Sequence, residues 1–178
     1  MRDDAFQDVL EQSGLKDTQQ LFAAMEAELK TIAAARLRAE RSTSLSTGDL
    51  INEAMLRLQE LKSVDWQSMP HILAVASTFM RRILIDHARR KNSEKRAHQK
   101  VTLVTGLPED TAKAEILDLE QALKALRDID PEKASVVEMR FFGGMSNAQI
   151  GTVLELSEAT VKRRWSAARA WLQDYLGQ

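Results

Sequence analysis

An all-α protein, built as two small helical domains joined by a flexible linker, is expected from three features of the chain. Apolar residues recur every three or four positions over most of its length, the period of a helix buried along one side. No segment keeps the two-residue alternation of a half-buried strand. The helical rhythm dissolves between about Asn92 and Glu115, where polar and turn-forming residues take over, and then returns.

The elements follow in order. Leu21, Met25, Leu29 and Ile32 mark a first amphipathic helix running to about Glu40, and the Ser- and Thr-rich stretch Arg41–Gly48 reads as a loop. A second helix starts near Asp49, with Leu50, Ile51, Ala54, Met55, Leu58 and Leu61 on its apolar side. Ser63–Met69 is a break. Pro70 suits the first turn of a third helix, carried to about Lys91 by Ile72, Leu73, Ala76, Phe79, Met80, Ile83 and Leu84. In the linker, His98-Gln99-Lys100 and Gly106-Leu107-Pro108-Glu109-Asp110 are turn-rich, while Val101–Val104 can pack locally. Periodicity resumes with Ile116, Leu119, Leu123 and Leu126, stops at Asp130-Pro131, and continues through Ala134, Val137, Met139 and Phe141. The resulting division is residues 1–97, a linker over 98–115, and residues 116–178.

The last part carries the strongest motif. Ser146 caps a short helix with Gln149 placed to complete a capping box, and Ile150, Val153 and Leu154 face inward. Ser157 caps a second helix with Thr160 at its third position, and Val161, Trp165, Ala168 and Leu172 form the buried stripe. Off that stripe stand Lys162, Arg163, Arg164, Ser166 and Arg169. This is the syntax of a helix-turn-helix whose second helix enters the major groove of duplex DNA. Glu155 occupies the turn, where Gly is better suited to a positive φ.

Composition bounds what else is present. The 178 residues are 44% hydrophobic and 29% charged, enough for real cores in a soluble chain. With no cysteine, disulfides and thiolate metal sites are excluded, which fits a reducing compartment. No apolar run approaches a membrane span and Met1-Arg2-Asp3-Asp4 is no signal peptide, so a cytoplasmic location is expected. The formal net charge of -1 conceals strong local fields. Between Phe79 and Lys100, Arg81, Arg82, Arg89, Arg90, Lys91, Lys95, Arg96 and Lys100 oppose only Asp86 and Glu94. Compensating acid lies in Met1–Lys30 and Leu107–Glu132.

Catalysis finds no foothold. His71, His87 and His98 lack metal-ligand spacing, and there is neither a Gly-rich phosphate loop nor a nucleophile elbow. Asp128 and Asp130 flank a Pro turn and read as turn and capping residues, and His87 reads as a surface histidine or a phosphate contact. Neither an enzyme nor a cofactor is expected.

Taken together, three motifs resemble a known family. Asp49-Leu50-Ile51-Asn52-Glu53-Ala54-Met55-Leu56-Arg57-Leu58 is similar to the polymerase-binding helix of extracytoplasmic-function (ECF) sigma factors, usually acidic-Leu-x-Gln-Glu followed by an apolar pair. Phe79-Met80-Arg81-Arg82-Ile83-Leu84-Ile85-Asp86-His87-Ala88-Arg89-Arg90-Lys91 resembles the family's promoter-melting helix, and the helix-turn-helix resembles sigma region 4. The likeness runs from about Leu21 to Leu172 in the correct order. It implies a minimal alternative sigma factor that binds core RNA polymerase and directs promoter-specific transcription initiation. The sigma domain 2-like bundle would hold the β′ clamp coiled coil and open the -10 element. The sigma domain 4-like helix-turn-helix would sit on the β flap and read the -35 element. An anti-sigma factor is admissible as a further partner.

The resemblance also assigns roles to residues. Asp49, Asn52, Glu53 and Arg57 share a helix face at three- and four-residue spacings and would bind polymerase; the alternative is a solvated face. Asn52 stands where the family usually has Gln. Arg81, Arg82, Arg89, Arg90 and Lys91 would serve the -10 region, with Asp86 bridging Arg82 and Arg90. Trp66, the one aromatic in the loop Lys62–Met69, either stacks on an unpaired base or packs into the core. Thr160, Lys162, Arg163 and Ser166 would approach the -35 bases, with Arg164 and Arg169 on phosphates or polymerase. Two other classes stay open: a helix-turn-helix regulator acting without polymerase, and a helical polymerase-binding interaction module.

Overall fold

The computed structural model describes residues 23–24, 26–31, 46–60, 68–94, 102–104 and 113–177. Of the first expected helix, residues 23–24 and 26–31 are helical and Leu29 is fully buried; Leu21, Met25 and Ile32 lie outside the described residues.

Helix α1 spans Thr47–Glu60. It begins two residues before the expected Asp49 because Ser46 caps it: the Asp49 amide donates to Ser46 Oγ (3.1 Å) and the Ser46 amide donates back to Asp49 Oδ2 (3.0 Å). Its buried side is Leu50, Ile51, Ala54 and Leu58. Helix α2 spans Met69–Glu94 and tolerates Pro70 because the first turn needs no amide there. Ile72, Leu73, Ala76, Met80, Ile83, Leu84, Ile85 and Ala88 are all buried, a wider arc than one apolar stripe. Such a helix needs cover on more than one side, and α2 packs on α1 and on the three helices that follow the linker.

Those helices are α3 (Ile116–Ile129), α4 (Pro131–Phe141) and α5 (Asn147–Leu154), followed by α6 (Glu158–Leu176). Asp130 ends one helix and starts the next. Its amide donates to the Leu126 carbonyl (2.7 Å), and its Oδ1 accepts from the Lys133 amide (2.9 Å). Among the described residues, the buried apolar side chains of α1 to α6 form one continuous cluster together with Leu29.

The all-α class stands with one local addition. Within the linker, β1 (Thr102–Val104) pairs antiparallel with β2 (Lys113–Glu115), Leu103 opposite Ala114. Three residues per strand are too few for an alternating pattern to show. The rest of 98–112 lies outside the described residues.

Candidate nucleic-acid interface

The helix-turn-helix is assembled from local bonds that its sequence specifies. Ser146 Oγ accepts from the Gln149 amide (3.2 Å), and Gln149 Oε1 accepts from the Ser146 amide (2.8 Å), closing the expected box on α5. Glu155 ends α5 with φ 54 and ψ 43, the left-handed conformation the turn requires. Ser157 Oγ then accepts from the Thr160 amide (3.2 Å) and starts α6. Val161, Ala168 and Leu172 are buried, so rotation of α6 about its axis is fixed. Trp165 is half-buried beneath the Arg140 guanidinium, 5.3 Å from its ring centre, and that Arg140 also donates to Asn147 Oδ1. Arg140 therefore ties α4 to both helices of the motif.

What α6 presents to solvent is a short donor row. Lys162, Arg163, Ser166 and Arg169 are exposed. Thr160 is half-buried; its Oγ1 bonds Ser157 Oγ (2.9 Å) and accepts from Arg163 Nη2 (3.2 Å), which pins Arg163 along the first turn. Arg164 departs from the expected role. It is half-buried and ion-paired with Glu132 on α4, so it braces the motif instead of joining the row.

The basic surface of α2 divides in the same manner. Arg82, Arg89 and Arg90 are exposed. Arg90 Nε donates weakly to the Asp86 backbone carbonyl (3.4 Å) instead of completing the expected carboxylate bridge. Arg81 is a correction: it is only 8% exposed and ion-paired with Glu120 on α3 and Glu138 on α4. The buried Arg81 and the exposed Arg82 are consecutive residues, and nothing in the local sequence tells them apart. The Lys91 side chain and the whole of Trp66 lie outside the described residues.

On α1 the expected strip is present, and its charged members also make local bonds. Asn52 is exposed, and Glu53 is paired with Arg57 at 2.7 Å. Asp49 belongs to the helix cap, where the Ser46 hydroxyl (2.7 Å) and amide hold its carboxyl below the usual carboxylate range. Leu56 lies 60% exposed among Asp49, Asn52, Glu53 and Arg57, and together they line a shallow groove. Sequence reasoning missed Leu56, although its place off the apolar stripe was the signal.

Among the described residues no cluster of His, Asp or Glu suits a metal ion, and no helix is long and apolar enough to cross a membrane. No curated protein and no solved structure matches the chain. A family model described as ECF sigma factor matches residues 7–178. That is nearly the whole sequence and takes in both the α1–α2 surfaces and the helix-turn-helix, so this chain belongs to the ECF sigma factor family, non-enzymatic factors of transcription initiation.

Proposed function

We propose that the chain binds core RNA polymerase and directs initiation at promoters it selects itself. Residues 1–97 would be the polymerase-binding and -10 half, 98–115 the linker, and 116–178 the -35 half. The observation that carries this reading is the exposed donor row Lys162, Arg163, Ser166 and Arg169 on a helix fixed by caps and core. Donors at these positions suit base edges and phosphates of a major groove. Thr160 would act through Arg163.

On the other half, exposed Arg82, Arg89 and Arg90 supply phosphate contacts beside the -10 element, with Lys91 and Trp66 as further candidates. Melting costs about 1.4 kcal/mol per base-pair step, and without ATP it must be offset by binding the unpaired strand. The groove around Leu56, with Asn52, Glu53 and Arg57, suits a helical partner bearing one apolar side chain and basic neighbours, as expected of the β′ clamp coiled coil. The β flap would take the second half.

Transcription in vitro with core polymerase over a library of random promoters tests the reading. A common pair of spaced elements among active templates is expected. A regulator acting without polymerase would shift duplex DNA alone and confer no initiation. An interaction module would do neither.

A further inference from the structure

We propose that a polar cleft lined by α2, α3 and α4 binds a phosphoryl dianion, either inorganic phosphate or the phosphate end of a compact hydroxylated metabolite. The cleft has a volume of about 290 Å³. Ligand sites commonly run from about 300 to 1,000 Å³, so this one suits a small occupant. Its sign selects an anion. Arg81, Arg82 and Arg127 line it against a single carboxylate, Glu138, which leaves a surplus of two positive charges. Glu120, the other partner of Arg81, has Lys124 at 3.5 Å and does not cancel that surplus.

The donors needed to hold an oxyanion are present and incompletely used. Arg81 is only 8% exposed, and its Nη1 donates to Glu120 Oε2. Its Nε is buried with no hydrogen-bond partner among the described residues; Glu138 Oε1, at 3.5 Å, makes an ion pair and no hydrogen bond. Buried donors are nearly always paired, so an orphaned one on the wall of a cleft points to an acceptor inside it. Arg127 uses Nη2 on Glu138 Oε2 (2.5 Å), which leaves other N–H groups of its five. Arg82 is exposed, and its guanidinium makes no hydrogen bond or ion pair with another described residue. Forks of this kind take two oxygens of a phosphate at once.

The rest of the lining describes the body attached to that phosphate. Ser77 Oγ donates to the Ala74 carbonyl (2.7 Å) and Ser135 Oγ to the Pro131 carbonyl (3.0 Å). Both hydroxyls therefore keep lone pairs to accept from hydroxyl groups of a ligand. Ala74 and Met139 supply a small apolar wall. Nucleic acid is the rival occupant, because Arg82 also belongs to the basic row on α2. A backbone phosphodiester carries one negative charge, whereas a phosphate monoester carries about 1.5 to 2 at neutral pH. The surplus of two charges, with its orphaned donor buried, favours the monoester.

Isothermal titration calorimetry of the full-length chain tests the site, with glycerol 3-phosphate, inorganic phosphate and acetate compared at one ionic strength. Both phosphates should bind at a single site with Kd below about 1 mM, and acetate about tenfold more weakly. Equal affinity for the two phosphates names inorganic phosphate as the occupant, and tighter glycerol 3-phosphate a metabolite; either result supports the site. Arg82→Ala should weaken binding about tenfold. Arg127→Lys, which keeps a cation for Glu138 but loses the fork, should also weaken it. Arg90→Ala, exposed on the same helix but outside the cleft, should keep the parent's phosphate affinity. Absence of saturable phosphate binding, acetate binding as tight as phosphate, or unchanged affinity in both the Arg82 and Arg127 variants overturns the proposal. Equal losses from Arg82→Ala and Arg90→Ala overturn it as well, since they describe diffuse attraction to a basic face. A single-stranded oligonucleotide that binds through Arg82 where neither small phosphate binds assigns the cleft to nucleic acid instead. None of these measurements involves polymerase, so the site and the initiation reading stand or fall separately.

Discussion

Gly151 and Leu156 close the helix-turn-helix from both directions. The Leu156 amide donates to the Gly151 carbonyl at 2.9 Å, and a Cβ on Gly151 would lie 2.6 Å from the Leu156 carbonyl oxygen. Backbone stands there, so no side chain can swing aside. Gly151→Ala gains about 1 kcal/mol of helix propensity but must push the turn away. Overpacking of this kind costs about 1–3 kcal/mol, and the turn's own hydrogen bond is lost with it. A net destabilisation of about 1–2 kcal/mol is expected in denaturant titration, together with weakened -35 recognition. An unchanged midpoint would show that the turn has slack.

Glu155 bears the strain of the same turn. It is the one non-glycine residue with positive φ among those described. A left-handed L-residue costs about 1–2 kcal/mol, while glycine loses about 0.5–1 kcal/mol of extra chain entropy on folding. Glu155→Gly should therefore stabilise the protein by about 0.5–1 kcal/mol, a rise of about 1–4 °C in melting temperature. A fall in melting temperature would mean that the Glu155 side chain makes a compensating contact.

These two positions also show which parts of the fold were legible beforehand. Caps are local, so Ser146-x-x-Gln149, Ser157-x-x-Thr160 and Asp130-Pro131 each gave a helix start that the structure keeps. Apolar periodicity placed the faces of α1, α2 and α3, because burial on one side leaves a period in the residues themselves. Long-range polar partners leave none. Arg81 finds Glu120 across 39 positions, and Arg164 finds Glu132 on another helix. In the sequence both arginines look like their exposed neighbours Arg82 and Arg163. Asp49 carries a second signal of the local kind: Ser46-x-x-Asp49 is a capping pattern as well as the start of a polar strip.

Recognition and polymerase binding should separate by mutation. Arg163 stands in the donor row on α6, whereas Glu53 stands on α1 paired with Arg57. Arg163→Glu should lower use of specific -35 sequences and leave core polymerase affinity within about twofold, since one rim charge seldom matters more. Glu53→Lys should weaken polymerase binding at unchanged promoter preference, and Arg164→Ala should cost stability with promoter preference intact. Equal loss of polymerase affinity in the Arg163 and Glu53 variants, measured by competition for core enzyme, would refute this division.

Acid should loosen the junction between α3 and α4 through Asp130. The Lys133 ammonium, 2.8 Å from Oδ2, and the Lys133 amide at Oδ1 hold its carboxyl below the usual carboxylate range. A folded-state value below the unfolded one means the unfolded chain takes up the proton first. The stabilisation is therefore complete at neutral pH, and it is lost as pH falls from about 4 through the lower folded value. Asp130→Asn separates charge from cap, because asparagine caps about as well but carries no charge. The variant should melt below the parent chain at pH 7, and the gap should close as pH falls from about 4 through the lower folded value, below which the parent's carboxyl is itself neutral. A gap that persists at low pH would assign the loss to cap geometry instead of charge.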